Sequence, residues 1–209
     1  MTKMKILIAG HGGQGIMLLG DYMAYSAMLQ GKHVGYIPSY GPETRGGKAK
    51  CYVIISDEVV DNPIAEEPDV ELILNQPSMD FLDDLHPKGL IIYNQSLIQT
   101  GVDRDDIGSF GIPATEIAEN LRCEIPSKID TKMFANAVMF GAFLAICAPN
   151  VAVDAVKETL KHFLAGKKES LISINYLAIE KGREYVKSNP LEIRAETRSY
   201  HSIPTWAAQ

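Results

Sequence analysis

Residues 5–15, KILIAGHGGQG, decide the fold of this chain, and an apolar run that begins at Ile16 follows them. Strand-forming residues lead into glycines with the spacing G-x-G-x-x-G, and apolar residues then recur at helical spacing. A strand, a glycine turn and a helix in this order make the βα unit that cradles phosphate groups. The glycines permit a tight turn and a close approach of the backbone to a ligand.

The usual ligand of such a unit, a nicotinamide or flavin dinucleotide, does not fit this sequence. Dinucleotide sites carry an acidic residue about 20 residues past the glycines, at the end of the second strand, where it holds the ribose hydroxyls. Here the second strand is predicted over residues 32–37, and no Asp or Glu occurs between Asp21 and Glu43. Two interpretations stay open: a site for an anion or cofactor without ribose recognition by a carboxylate, or close packing of helix on strand without a ligand.

A second unusual stretch, residues 38–47 with the sequence PSYGPETRGG, follows the second strand. Its prolines and glycines predict a loop with a largely fixed path, which presents Tyr40, Glu43 and Arg45. In a doubly wound sheet this loop lies at the same edge as the glycine turn, so we expect the two stretches to meet and to form a recognition surface. The alternative is a Glu43–Arg45 ion pair that only braces the loop.

The remaining pattern predicts one α/β domain over residues 1–209, with a tail over about 188–209 that we expect to be ordered. Further strands are predicted at 48–56, 70–75 and 90–93, and helices at 15–30, 79–85, 113–121, from about 130 to 147, at 153–164 and at 169–187. This alternation indicates an α/β fold with a mostly parallel sheet. We expect Pro38 to end the second strand, residues 100–111 to be irregular, and the helix that ends near Cys147 to be buried.

The charge is distributed unevenly along the chain, whose net charge is −6. Residues 1–56 carry six Lys and Arg against two acids, whereas residues 57–87 carry ten acids and no Lys or Arg. The basic part suits an anionic ligand near the glycines, and the overall balance argues against nucleic acid as a partner. The acidic segment is either a set of solvated loop charges or a site with a specific role.

Cysteine and apolar patterns bear on the compartment. The three cysteines include no C-x-x-C pair, so reduced thiols in the cytoplasm are expected rather than a disulfide framework or a cysteine-ligated cluster. We expect no signal peptide, because the apolar run ahead of the glycines is too short, and no membrane span, because the longest apolar stretch, 137–148, is too short as well.

No familiar catalytic set can be recognised. The five histidines stand in no metal-binding spacing, and there is no G-x-S-x-G or Walker motif. We therefore predict no catalytic residue and no metal site in this chain, and expect a binding component of a larger enzyme.

These motifs together resemble the gamma subunit of the 2-oxoacid:ferredoxin oxidoreductases. The likeness rests on residues 10–15 and 39–47, on 55–57 with Pro63 and 68–69, and on Asn136 with Gly141. The residues that this likeness and the two glycine-rich stretches assign to ligand binding are Gly10, Gly12, Gly13, Gln14, Gly15, Tyr40, Gly41, Pro42, Glu43, Arg45, Gly46 and Gly47.

The resemblance implies a three-layer α/β/α domain. It also implies a subunit of a complex that oxidatively decarboxylates a 2-oxo acid, with 2-oxoglutarate or a branched-chain acid favoured over pyruvate. Partner alpha and beta subunits, and a ferredoxin-like delta subunit in some complexes, would carry thiamine diphosphate and iron–sulfur clusters, and ferredoxin would accept the electrons. The gamma subunit would contact coenzyme A, whose phosphates suit the glycine turn together with Arg45, Lys48 and Lys50. The isolated chain is expected to be inactive, and a homodimer is one state open to it.

Two alternatives remain open beside this reading. The chain could be a free-standing nucleotide-binding or regulatory module, or a component of an indolepyruvate oxidoreductase, which shares the glycine signature.

Overall fold

The computed structural model describes residues 3–40, 47–63, 66–123, 125, 129–166 and 169–190. This part leaves out residues 41–46, which are most of the Pro- and Gly-rich loop, and the tail from residue 191 onward. The two expectations that the tail is ordered and that Glu43 pairs with Arg45 therefore concern residues outside the described part.

Six strands form one sheet in the order β2-β3-β1-β4-β5-β6. β3 is antiparallel to both of its neighbours, β1 and β2, whereas β1, β4, β5 and β6 pair in parallel. All strands other than β3 therefore run in one direction, which confirms the mostly parallel sheet. The strands are β1 Lys3–His11, β2 His33–Tyr40, β3 Lys48–Ser56, β4 Val70–Ile73, β5 Leu90–Asn94 and β6 Gly108–Ile112.

The larger core lies on one face of this sheet. Because side chains alternate along a strand, Met4, Ile6 and Ile8 of β1 all point to this face, where they are buried against the long helices. The helices are α1 Ile16–Leu29, α2 Ala114–Asn120, α3 Ala135–Cys147, α4 Val153–Leu164 and α5 Glu169–Ser188. α3 is apolar nearly all round and is buried, as its sequence predicts.

The opposite face carries a thinner layer. A 3-10 helix, Gln76–Asp84, covers a smaller cluster that includes Ala9, Ile73 and Ile91. Asn75 caps this helix by accepting a hydrogen bond from the Ser78 N–H at 3.1 Å. The three-layer α/β/α class is thus confirmed, with one layer much thicker than the other.

Two glycines let α3 and α5 approach each other closely. A Cβ atom on Gly141 would lie 2.0 Å from the carbonyl oxygen of Ile179, and one on Gly182 would lie 2.1 Å from that of Val138. Neither contact leaves room for a side chain, so Gly141 is needed where the two helices cross. The same crossing explains Gly182, which the sequence did not mark.

Two expectations about the strands were wrong. β2 does not end at Pro38 but continues to Tyr40, with Pro38 opposite Cys51. β2 lies at the end of the strand order, and an edge strand tolerates a residue that lacks an N–H. Residues 100–111 are not wholly irregular either, since they contain most of β6, whose sequence GSFGI has little strand propensity and pairs with β5 alone.

Candidate functional site at the glycine turn

The glycine turn joins the end of β1 to the start of α1. Gly13 and Gly15 have φ of 104° and 74°, values that only glycine adopts without strain. Gly15 also packs against α3, because a Cβ atom there would lie 2.3 Å from Asn136 Nδ2. Around Gly13 a Cβ atom would meet no atom within 4 Å, so its backbone faces open space.

Gln14 ties the turn to the sheet. The N–H of His11 donates to Gln14 Oε1 at 2.9 Å, and Gln14 Nε2 donates to the carbonyl oxygen of Leu74, just beyond β4, at 3.2 Å. Gln14 therefore positions the turn, a role that the sequence did not reveal because its partner is 60 residues away.

The amino terminus of α1 has no side-chain cap. Its N-cap residue is Gly15, and the first turn contains no acidic residue. The first N–H groups of a helix lack intrahelical acceptors and carry part of the positive end of the helix dipole. This terminus can therefore accept an anion without displacing a protein side chain.

A cavity of about 300 Å³, which we call the turn cavity, opens beside this terminus. His11, Gly13 and Gln14 form one wall, and Leu74 and Leu97 follow the ends of β4 and β5. Thr115 of α2 and the segment before α3 close the other side, with Asp130, Lys132, Met133 and Ala135. The cavity thus lies at the carboxyl ends of the parallel strands, the edge where open α/β sheets bind ligands.

The rim of the turn cavity combines charge with exposed apolar surface. Lys132 forms an ion pair with Glu119 at 3.0 Å and stays largely exposed. Met133 and Leu97 are 54% and 41% exposed, among the most exposed large apolar residues of the described chain. The sequence analysis assigned no ligand-binding role to Asp130, Lys132, Met133 or Leu97, because only the fold brings them to this edge.

The second glycine-rich stretch meets the turn as expected. Tyr40 and Ala49 are opposite each other on β2 and β3, and the N–H of Gly12 donates to the carbonyl oxygen of Gly47 at 3.1 Å. The loop therefore ends beside the turn and starts at the same edge of the sheet, with β3 between its start and β1. Its predicted site residues Gly41, Pro42, Glu43, Arg45 and Gly46, and the side chain of Tyr40, lie outside the described residues.

Lys48 and Lys50 point to the face of the 3-10 helix rather than to that of α1. Lys48 pairs with Asp80, and Lys50 Nζ lies 4.6 Å from the centre of the Phe81 ring and 5.2 Å from that of Tyr52. Both cations thus already have partners on the thin layer, and only Lys48, opposite His11 in the strand register, lies next to the turn.

Two of the three thiols are buried in the core. Burial raises the pKa of Cys51 to about 12 and that of Cys147 further, so neither thiol ionises at neutral pH.

Within the described residues, no three His, Cys, Asp or Glu side chains are grouped to hold a metal ion. No helix in this part of the chain has both the length and the apolar character to cross a membrane.

Fold and site together define an α/β protein with a glycine turn, an uncapped helix terminus and a cavity at the carboxyl edge of its sheet. The chain matches the family described as pyruvate ferredoxin/flavodoxin oxidoreductase over residues 5–185, and it belongs to that family. The resemblance drawn from the sequence motifs is confirmed.

Two curated relatives of this chain differ in length. The ketoisovalerate oxidoreductase subunit VorA of Methanothermobacter thermautotrophicus is 36% identical over 90% of this chain, which covers 37% of VorA. The 2-oxoglutarate synthase subunit KorC of Methanothermobacter marburgensis is 34% identical over 88% of this chain and is covered to 97%. The chain therefore spans little more than a third of one relative and nearly all of the other.

Solved structures share the fold. The gamma subunit of a keto/oxoacid ferredoxin oxidoreductase from Geobacter sulfurreducens PCA superposes with a TM-score of 0.71 at 28% identity, with coverage of 88% of this chain and 99% of that one. A 2-oxoglutarate:ferredoxin oxidoreductase from Magnetococcus marinus, solved with 2-oxoglutarate, coenzyme A and succinyl-CoA bound, gives a TM-score of 0.78 at 23% identity, over 90% of this chain and 32% of that one. The second likeness concerns the fold alone.

Proposed function

We propose that this chain is the gamma subunit of a multi-subunit 2-oxoacid:ferredoxin oxidoreductase, and that its glycine turn receives the phosphates of coenzyme A. The observation that carries the proposal is the uncapped amino terminus of α1 beside the turn cavity, at the carboxyl edge of the sheet. Family membership supports the class of enzyme, and the Magnetococcus neighbour supports coenzyme A as the ligand.

Coenzyme A suits this edge in both parts of its structure. Its phosphates match the N–H groups of Gly13, Gly15 and the first turn of α1, because helix termini of this kind bind anions. Its uncharged pantetheine arm suits the exposed side chains of Met133 and Leu97 on the rim. Lys132 adds a cation that is exposed enough to exchange Glu119 for a phosphate.

The proposed binding residues divide into two groups. Gly13 and Gly15 offer backbone N–H groups to the ligand, whereas Gly10, Gly12 and Gln14 hold the turn in shape through contacts within the protein. The further ligand contacts that the sequence assigns to the site are Tyr40, Gly41, Pro42, Glu43, Arg45, Gly46 and Gly47 of the loop. In this arrangement Arg45 pairs with a phosphate, for which its planar guanidinium is well suited.

In the proposed complex this chain binds and orients coenzyme A and leaves the redox chemistry to its partners. Thiamine diphosphate and iron–sulfur clusters reside on alpha and beta subunits, with a ferredoxin-like delta subunit in some complexes, and they supply decarboxylation and electron transfer to ferredoxin. The substrate is 2-oxoglutarate or a branched-chain 2-oxo acid in preference to pyruvate, in line with the names of the KorC and VorA relatives. The complex works in the cytoplasm, which suits the three unpaired thiols.

The test is to coexpress this chain, tagged, with its partner subunits and to purify the complex through the tag. The purified complex should reduce ferredoxin or a viologen dye with 2-oxoglutarate or 2-oxoisovalerate only when coenzyme A is present. The chain purified alone should be colourless and should turn over no 2-oxo acid. Copurification of no thiamine diphosphate protein, together with nucleotide binding by the chain alone, would favour a free-standing module instead; turnover of indolepyruvate in preference to the other acids would favour the indolepyruvate component.

A further inference from the structure

Asn94, the last residue of β5, ties that strand to the start of α2. Its side chain is fully buried, and its Oδ1 atom accepts hydrogen bonds from the backbone N–H groups of Ser96 and Thr115, at 3.3 and 3.4 Å. Its Nδ2 atom lies 2.9 Å from Thr115 Oγ1. Asn94 therefore fixes the position of Thr115, which lines the turn cavity.

The direction of the bond between these two side chains follows from the other partners of Asn94. Backbone N–H groups only donate, so the amide oxygen of Asn94 is the atom that faces them, and the amide nitrogen faces Thr115 Oγ1. An amide nitrogen donates and does not accept. The hydroxyl oxygen of Thr115 is therefore the acceptor, and its own hydrogen is left to be donated elsewhere.

The hydroxyl hydrogen of Thr115 has no acceptor in the described part of the protein. There, the bond from Asn94 is the one hydrogen bond in which Thr115 Oγ1 takes part. Thr115 is partly exposed and lines the turn cavity. This wall of the cavity thus offers a neutral donor, held in place by a buried amide, to an acceptor atom of a ligand.

An apolar side chain lies beside this donor. The carbonyl oxygen of Asn94 accepts a hydrogen bond from the N–H of Leu97 at 3.0 Å, so Asn94 also positions Leu97. Leu97 is 41% exposed and lines the same cavity. A neutral donor next to an apolar surface suits an uncharged chain of methylene and amide groups better than it suits a phosphate.

We propose that Thr115 donates a hydrogen bond to an amide carbonyl oxygen in the pantetheine arm of coenzyme A, and that Asn94 is the residue that positions this hydroxyl. The inference rests on the proposed function, which supplies coenzyme A and places its phosphates at the glycine turn. It adds a second point of recognition on the other side of the turn cavity, and this one reads the arm rather than the phosphates.

The test measures two ligands in the assembled complex. Coenzyme A gives an apparent KM, and 3′-phospho-ADP, which carries all the phosphates of the coenzyme but lacks the arm, gives an inhibition constant. Thr115→Val removes the hydroxyl and keeps the shape, whereas Thr115→Ser keeps the hydroxyl. Thr115→Ala is a second deletion, which leaves room for a water molecule to pair with Asn94 if the valine variant does not fold.

Thr100→Val is the matched control. The hydroxyl oxygen of Thr100 also accepts from a side-chain amide, that of Gln76, at 2.6 Å, but Thr100 is exposed and does not line the turn cavity. Loss of an amide–hydroxyl bond is thus common to both variants, and only one of them changes the proposed contact. Thermal unfolding of each isolated chain checks the fold.

We expect the apparent KM for coenzyme A to rise about fivefold in Thr115→Val and Thr115→Ala, on the scale of one neutral hydrogen bond. It should stay within about twofold of the wild type in Thr115→Ser and in the control. The inhibition constant of 3′-phospho-ADP should not change in any of them. The loss should appear in KM rather than in kcat, because a contact to the arm holds the ground state and the transition state alike.

Two results would overturn the proposal. A wild-type KM in folded Thr115→Val or Thr115→Ala would show that the hydroxyl makes no contact with coenzyme A. Equal losses for coenzyme A and 3′-phospho-ADP would assign the effect to the phosphates or to the shape of the cavity instead of the arm. Wild-type turnover that needs no coenzyme A would reject the proposed function itself, a result distinct from either.

Discussion

Asn136 Nδ2, at the start of α3, donates a hydrogen bond to the carbonyl oxygen of Gly15 at a distance of 3.3 Å. The two residues are 121 positions apart in sequence, and Asn136 is 3% exposed. The buried central helix thus holds the glycine turn in place. The side chain of Asn136 also leaves no room for a side chain at residue 15. This contact links the stability of the core to the shape of the proposed coenzyme A site.

The two left-handed glycines of the turn should respond differently to alanine. Gly13→Ala introduces only backbone strain, of about 1–2 kcal/mol, because the surrounding space is open. Gly15→Ala adds a clash with Asn136, so the free energy of unfolding should fall by a further amount of about 1–3 kcal/mol. Urea unfolding of both variants measures the difference.

Removal of the clash should rescue part of that loss. In the double variant Gly15→Ala/Asn136→Ala, the free energy of unfolding should fall by less than the sum of the two single losses. Additive losses would show that Asn136 is not what restricts residue 15.

The crossing of α3 and α5 predicts a large effect of one methyl group. Gly141→Ala places a Cβ atom 2.0 Å from a backbone oxygen, so the helices must separate and stability should fall by about 1–3 kcal/mol or more. Gly101→Ala is the control, since a Cβ atom there meets no atom within 4 Å and its φ is not left-handed. Equal melting temperatures for the two variants would contradict the close crossing.

Glu71 should make the isolated chain less stable as the pH rises. Burial, with the charge of Asp84, raises its pKa to about 8, above the ordinary value of 4.5 that applies to the unfolded chain. Between these two pKa values the folded state binds more protons than the unfolded state. The contribution of Glu71 to stability is therefore full below about pH 4.5 and is lost as the pH rises through 8. Glu71→Gln should flatten this slope in unfolding experiments from pH 5 to pH 9, whereas an unchanged slope would place its origin elsewhere.

Arg45 provides a test of the loop. If it contacts a coenzyme A phosphate or a partner carboxylate, Arg45→Ala should leave the melting temperature unchanged and weaken coenzyme A binding or assembly by about 1.5–3 kcal/mol. Arg45→Lys should restore only part of the loss, because lysine lacks the planar fork. A fall in melting temperature with normal coenzyme A dependence would mean that Arg45 only braces Glu43.

Local patterns were enough to predict much of the fold. The glycine spacing located β1, the turn and α1, and apolar periodicity predicted α4 over its observed range, Val153–Leu164. β6 was missed because a short strand with two glycines owes its conformation to its pairing with β5 rather than to propensity. Pro38 was misjudged because the position of β2 at the edge of the sheet depends on the whole topology.

The site was harder to predict than the fold. The glycines of the turn are visible in the sequence, but the contacts that shape it join residues far apart, such as Gln14 with Leu74 and Asn136 with Gly15. Lys132 and Met133 carry no motif, and they reach the turn cavity only because α3 packs beneath the turn. The burial of Glu71 was not predicted either, because a charged residue within a short strand gives no sign that both faces of that strand are covered.

The most direct test of the central claim compares Gly13→Asp with Gly13→Asn in the assembled complex. Both side chains incur similar backbone strain at residue 13, both fit the open space there, and they differ in charge. If coenzyme A phosphates bind at the turn, the apparent KM for coenzyme A at low salt should be about tenfold higher for Asp than for Asn, equivalent to about 1.4 kcal/mol of repulsion. The difference should shrink at high salt. Equal KM values for the two variants, in complexes that assemble normally, would contradict a coenzyme A site at the glycine turn.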